Sequence, residues 1–107
     1  MFTRIVEMTT KTGKARELSR TINEKVLALL KNQPGFVDEI ILISDQNPER
    51  VLAMSFWQSK EDAEKYNRDT YPRVNEIIRG QIEGPPKVQT FDVEHSTAHK
   101  IAAGKAA

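Results

Sequence analysis

The sequence predicts an α+β fold in which helices cover one face of an antiparallel sheet. Between residues 30 and 36 the hydrophobic period changes from helical to extended, and Pro34-Gly35 supplies a turn at the change. A second helical region is interrupted by Pro72 and is followed by a closing extended segment. The resulting order, β-α-β-β-α-β, predicts a two-layer sandwich of the ferredoxin-like kind.

The first half of the chain carries a strand, a helix and a second strand. Residues 2–8 are rich in β-branched and aromatic types and predict strand one. Within residues 14–31, large apolar residues recur at steps of three and four, which predicts an amphipathic helix. Proline sets φ at the second position of a β-turn and glycine accepts a positive φ at the third, so Pro34-Gly35 predicts a type II turn. Strand two follows over residues 36–44.

The second half begins with strand three over residues 51–58. Ser59 followed by Asp62 matches a helix cap, and the short helix after it turns Tyr66 inward. Pro72 is compatible with the first turn of another helix. Residues 87–94 predict the last strand.

Residues 95–107 differ from the predicted domain, residues 1–94. They are rich in Ala and Lys and predict a weakly helical or frayed tail. His95 and His99 are spaced i,i+4, which on a helix would let two imidazoles share a metal, but no carboxylate completes the pattern. We therefore predict no metal site.

Composition excludes several classes of protein. The 107 residues suit one domain, and 16 basic against 15 acidic residues leave no basic excess for a nucleic-acid partner. The lack of cysteine excludes thiol chemistry and disulfides. No apolar run is long enough for a membrane span, and the first residues lack the features of a signal peptide. We expect a cytoplasmic protein with no membrane partner.

Strand two is apolar at both parities near its end. Ile41 and Ile43 lie on the face opposite Ile40 and Leu42, whereas helices cover only one face of the sheet. The second face therefore also needs cover, and a partner subunit is the simplest source. We expect a homodimer that forms through the sheet face.

The chain over about residues 2–94 resembles the antibiotic biosynthesis monooxygenase family of dimeric α+β barrels. The residues that carry the resemblance are Gln33-Pro34-Gly35-Phe36 after an amphipathic helix, residues 56–63 at the exit of strand three, and residues 86–93. The resemblance implies a homodimer whose two sheets pack face to face, with a small pocket between sheet and helices in each subunit. Its known members include cofactor-free oxygenases of aromatic polyketides, haem-degrading monooxygenases and quinol monooxygenases.

Residues beside the implied pocket are candidates for catalysis and binding. Tyr66 and Asn75 are the catalytic candidates, because a phenol or a carboxamide can hydrogen-bond a phenolate or an oxygen species. Trp57 would stack on a planar ligand. Tyr71, Asn67 and Arg79 are further binding candidates, and a packing or surface role is the alternative for each. Glu7 and Glu39 would form an acid–base pair if their strands were neighbours, although exposed charges on a sheet face are more common.

Two departures from the family pattern bear on activity. The positions that match the Asn, Trp and His of the haem-degrading members are Val6, Tyr66 and Asn75, which argues against haem degradation by that mechanism. The polyketide oxygenases carry an Asn shortly before the Trp of strand three, where this chain has Ala53. The leading hypothesis is cofactor-independent monooxygenation of a quinol or polyphenol. The alternatives are a non-catalytic barrel that binds a small ligand or serves only in assembly, and a haem-binding protein without degradation.

Overall fold

The computed structural model describes residues 1–102 and contains the strands and helical regions that the sequence predicts. The strands are β1 (Phe2–Thr9), β2 (Phe36–Ile43), β3 (Arg50–Trp57) and β4 (Lys87–Asp92). The helices are α1 (Ala15–Thr21), α2 (Leu27–Leu30), α3 (Lys60–Asp69) and α4 (Tyr71–Ile78). A π-helical segment, Ile22–Val26, joins α1 to α2, and a 3₁₀ turn, Arg79–Gln81, follows α4.

The four strands form one antiparallel sheet in the order β2-β3-β1-β4. This is the ferredoxin-like arrangement, because β3 lies between the two strands that the first helical region connects. The helices cover one face, where Trp57 and Val51 of β3 are fully buried with Leu18 of α1. We call the other side of the sheet the open face.

Local chemistry explains the two junctions that the sequence predicts best. Gly35 has φ +78°, and Phe36 N donates to Gln33 O at 3.3 Å, which closes the predicted turn. A Cβ at Gly35 would also collide with the Asp62 side chain, so only glycine fits. Ser59 Oγ accepts from Asp62 N at 3.2 Å and caps α3 as predicted.

The first helical region contains a feature that was not predicted. The hydrophobic period correctly locates the helix, but its middle, Ile22–Val26, widens to a π-helix. Such segments are rare and often lie at functional sites. Here Ile22 and Val26 line the space between helix and sheet.

The chain after β4 folds back over the open face. A turn closed by hydrogen bonds between the backbones of Ser96 and Ile101 replaces the predicted weak helix, which is wrong for residues 95–102. The His99 ring packs on Phe56 with 4.6 Å between centroids, and its Nε2 lies 3.0 Å from an Asp38 carboxylate oxygen. The remainder of the predicted tail, residues 103–107, lies outside the described residues.

Candidate active site

A polar row crosses the helix-covered face of the sheet. The antiparallel register places Thr90 beside Arg4, Arg4 beside Ser55, and Ser55 beside Glu39, on strands β4, β1, β3 and β2 respectively. We call these four residues the polar row. The neighbouring inward positions on β1 are the buried Phe2, Val6 and Met8, so the row interrupts an apolar layer.

Arg4 is the most unusual residue of the polar row. It is only 3% exposed, and its guanidinium carbon lies 4.4 Å from the ring centre of Tyr71 and 5.1 Å from that of Tyr66. These are cation–π distances. Its Nη2 donates to Asn67 Oδ1 at 2.8 Å, and no carboxylate of residues 1–102 forms an ion pair with it. Burial lowers the pKa of Arg4, and the two tyrosines act in the opposite direction.

A buried arginine without an acidic partner is costly, because desolvation of a charge is offset only by its neighbours. An arginine nevertheless stays protonated in proteins. Arg4 therefore brings a positive charge, held by two aromatic faces and one amide, into the layer between sheet and helices. An anion placed there would gain a partner that the protein itself does not supply.

The polar row borders three spaces. An interior cavity of about 40 Å³ lies between the sheet and the helices, and Arg4, Ser55 and Glu39 line it together with Tyr66 and Tyr71. A cleft of about 130 Å³ on the β4 side shares Arg4 with the cavity. On the β2 side a groove of about 490 Å³ shares Glu39 with it. We call this last space the edge groove; Arg16 and Arg20 of α1 lie along it.

The two tyrosines of the cavity are neutral at ordinary pH. Burial raises the pKa of Tyr66 to about 12, and the neighbouring Arg4 opposes this shift. Burial also raises the pKa of Tyr71, while Arg4 and Asn75 lower it by smaller amounts. Both phenols are therefore hydrogen-bond donors rather than bases in this site.

Two buried polar atoms beside the cavity have no hydrogen-bond partner within the described residues: Tyr71 Oη and Asn75 Oδ1. Asn75 and Arg4 lie near enough to Tyr71 to affect its pKa, but neither forms a well-aligned bond to its hydroxyl. Buried polar atoms are normally satisfied, so a ligand or ordered water is the expected partner.

The six predicted site residues lie in different surroundings. Tyr66 and Tyr71 line the interior cavity with Arg4, and the exposed Asn67 holds Arg4 from the other side. Asn75 shares a separate surface pocket with Arg79, which is exposed. Trp57 is fully buried behind Tyr66, with 5.0 Å between ring centroids.

Trp57 contacts the polar row without lining the cavity. Its Nε1 donates to Ser55 Oγ at 2.9 Å, and its ring meets Phe36 edge to face. This geometry supports the packing role that the sequence left open, and it fixes the Ser55 hydroxyl in the row. Stacking of Trp57 on a ligand would require it to leave the core.

Sequence reasoning missed Arg4 and misplaced Glu39. Arg4 was detectable, because it is the one charged residue among the alternate positions Phe2, Arg4, Val6 and Met8 that face the helices. The suggested pair of Glu7 and Glu39 is wrong, because β3 separates their strands and Glu7 instead meets Arg50 on the open face. The two histidines of the tail do not share a helix, and residues 1–102 contain no cluster of metal-binding side chains.

The family model for antibiotic biosynthesis monooxygenases matches residues 1–72. The chain belongs to the antibiotic biosynthesis monooxygenase family. Among curated proteins, no sequence matches it significantly.

Solved structures share the fold of this family member at low sequence identity. SnoaB, a cofactor-independent oxygenase from Streptomyces nogalater, is 14% identical with a TM-score of 0.73, over 90% of this chain and 95% of that one. A monooxygenase from Streptomyces coelicolor in complex with nanaomycin D is 20% identical with a TM-score of 0.67, over 84% of each chain. A variant of MhuD with two manganese protoporphyrin IX bound per active site is 19% identical with a TM-score of 0.73, over 91% and 98%.

The described part of the chain has no helix with the length and apolar character that crossing a bilayer requires.

Proposed function

We propose that this family member is a monooxygenase that oxidises a small, planar, electron-rich aromatic, such as a quinol or polyphenol, without a bound cofactor. The observation that carries the proposal is Arg4, a buried cation between two tyrosine rings with no acidic partner among residues 1–102. A phenol becomes reactive toward O2 as its anion, and a fixed positive charge in a desolvated site stabilises that anion.

The proposed reaction needs no external reductant. A quinol and O2 give a hydroxyquinone and water: one oxygen atom forms a new C–O bond, the O–O bond breaks, and the second atom leaves as water. The ring supplies all the electrons. The phenolate first gives an electron to O2, and the two radicals then combine at a ring carbon.

Named residues have distinct roles in this proposal. Arg4 pairs with the phenolate, and Tyr66 and Tyr71 donate hydrogen bonds while their rings hold Arg4 in place. Asn67 orients the guanidinium, and Asn75 supplies a carboxamide beside Tyr71. Trp57 fixes Ser55 and the wall behind Tyr66, and Arg79 lies at the outer pocket beside Asn75.

The size of the cavity favours the second candidate, a non-catalytic barrel that binds a small ligand. The cavity of about 40 Å³ is smaller than the ~150 Å³ that holds benzene in an engineered core. Catalysis on a ring therefore requires the cavity to widen. Glu39 lies on the wall shared with the edge groove, so rotation of this flexible side chain would join the two spaces.

Oxygen uptake with a panel of quinols tests the proposal. We expect turnover by the wild-type protein and its loss in a Tyr66→Phe/Asn75→Ala double variant, with Arg73→Ala on the exposed side of α4 as the control. Unchanged turnover in the double variant would show that Tyr66 and Asn75 do not have the catalytic roles proposed for them. No turnover with any quinol, together with saturable quinol binding, would favour the non-catalytic barrel. A Soret band on haem addition would instead indicate haem binding.

The dimer is part of the same proposal. Large apolar side chains are exposed at both edges of the open face: Ile40 and Leu42 on β2 are 43% and 44% exposed, and Phe91 on β4 is 48% exposed. Burial of this face against a second copy would bring two sheets together, as the family resemblance implies.

A further inference from the structure

We propose that Glu39 is the catalytic base that takes the proton from the phenol of the substrate, an inference that rests on the proposed function. Glu39 lies in the polar row at the end opposite Thr90, and Ser55 separates it from Arg4. Neighbouring strands are ~4.8 Å apart, so Arg4 and Glu39 flank a gap of ~10 Å at the backbone. A phenol hydroxyl that lies over Ser55 would have the cation on one side and the carboxylate on the other.

The surroundings of Glu39 leave it available for this task. It lies on the inner side of an edge strand and is half-buried, and in the described part of the chain its carboxylate forms no hydrogen bond or ion pair. Burial raises the pKa of its carboxyl above the ordinary value. A base with a raised pKa accepts a proton from a phenol more readily than a solvated carboxylate does.

The groups that face Glu39 agree with a proton-accepting role. Arg4, Tyr66 and Tyr71 face it across the interior cavity, and Arg16 and Arg20 lie along the edge groove on its other side. Both tyrosines are neutral with raised pKa values, so Glu39 is the one carboxylate lining the cavity in the described chain and the one group there with the properties of a base.

The proton balance of the reaction closes through Glu39. The O–H bond of the quinol breaks, its proton moves to a Glu39 carboxylate oxygen, and the electron pair stays on the phenolate beside Arg4. After the C–O bond to O2 forms, Glu39 returns the proton to the outer peroxide oxygen. That atom leaves as water with the hydrogen from the ring carbon.

The position of Glu39 also gives it access to substrate and solvent. It lines both the interior cavity and the edge groove, so a ring that enters from the groove passes its carboxylate first. Among residues 1–102, no other residue contributes to the walls of both spaces.

Turnover measurements on Glu39→Gln test the proposal. The substitution keeps the shape of the side chain and removes the base. We expect turnover of a quinol to fall at least ~100-fold at pH 7, and the loss to shrink as pH rises toward the ionisation of the quinol itself. Glu24→Gln, which removes an exposed carboxylate from the helix, should leave turnover unchanged. Equal turnover of wild type and Glu39→Gln would overturn the base and leave the proposed function standing.

A second measurement decides the question even if the wild-type protein oxidises no quinol. In protein labelled with ¹³C at glutamate carboxyls, Glu39→Gln assigns the Glu39 signal. On addition of 4-nitrophenol, at a pH low enough that the free ligand is the neutral phenol, we expect that signal to move to the protonated position while the bound ligand absorbs as phenolate. A Glu39 signal that stays at the ionised position would overturn the proposal.

Discussion

The two faces of the sheet distribute polar and apolar side chains in opposite ways. On the helix-covered face, Arg4 is 3% exposed in a layer where apolar residues are the rule. On the open face, Ile40 and Leu42 are more than 40% exposed, whereas large apolar side chains are usually buried. Each exception has a cost that another molecule would relieve: an anion for the buried cation and apolar surface for the exposed one. We therefore propose that the helix-covered face carries the chemistry and the open face carries assembly, and we call them the chemistry face and the assembly face.

The largest expected effect is the loss of the proposed dimer when charges are placed on the assembly face. In an Ile40→Lys/Leu42→Lys double variant, two charges from each subunit would meet across the interface, and like charges brought together cost several kcal/mol. The dissociation constant of the dimer should therefore rise at least ~1000-fold. Sedimentation analysis measures it, and Ala28→Lys on the exposed side of α2 is the control. A double variant that dimerises like the wild type would place the interface elsewhere.

The next effect separates activity from stability on the chemistry face. Arg4→Met keeps an unbranched, flexible side chain, although a shorter one, and removes the charge. Turnover should fall by ~10²–10³, the usual loss when one group that stabilises an oxyanion is removed. The free energy of unfolding should stay equal or rise, because apolar replacement of a buried charge is often neutral or stabilising. Oxygen uptake and urea unfolding measure the two quantities. Loss of stability with unchanged turnover would mean that Arg4 is structural.

A smaller effect uses pH to examine the same face. Tyr66 has a pKa of about 12 in the folded protein against about 10 when unfolded. Because its pKa is raised in the folded state, the contribution of Tyr66 to the free energy of unfolding is complete below pH 10. That contribution is lost as the pH rises from 10 to 12. The free energy of unfolding should fall by about 1.4 kcal/mol per pH unit across this window. Tyr66→Phe should flatten that slope and leave the part due to Tyr71, as urea unfolding at several pH values would detect. An equal slope in both proteins would contradict the burial of the phenol.

The smallest effect concerns the segment that covers part of the open face. His99→Ala removes the contact with Phe56 and the bond to Asp38, whose side chain is half exposed. Pairs of this kind contribute about 1 kcal/mol or less. We therefore expect a small loss of stability, with faster hydrogen exchange at the amides of Ser96 and Ile101. Exchange that matches the wild type would mean that the backbone turn holds without the ring.

Local chemistry made most of the fold predictable. The turn at Gly35, the cap at Ser59 and the break at Pro72 each depend on a few adjacent residues, and each occurs where it was predicted. The exposed apolar side chains of β2 likewise follow from alternation along one strand, which the register of β2 with β3 confirms. The π-helical segment was not predictable, because its residues are ordinary helix formers.

The candidate site depends on register between strands, which one sequence does not provide. Arg4 and Glu39 are far apart along the chain, and only the position of β3 between β1 and β2 brings them into one row. Trp57 and Asn75 were singled out by residue type, and the structure places both outside the cavity. Residue type correctly pointed to Tyr66, and therefore to the helix that borders the cavity. It did not point to Arg4, the cation that packs against the Tyr66 ring.

A crystal structure of the protein with 4-nitrophenol bound tests the central claim most directly. We expect the phenol oxygen within ~3 Å of the Arg4 guanidinium and of the Glu39 carboxylate, with the ring between the sheet and the helices. A phenol bound only in the edge groove beside Arg16 and Arg20, with the interior cavity closed, would contradict the claim that the buried polar row carries the chemistry.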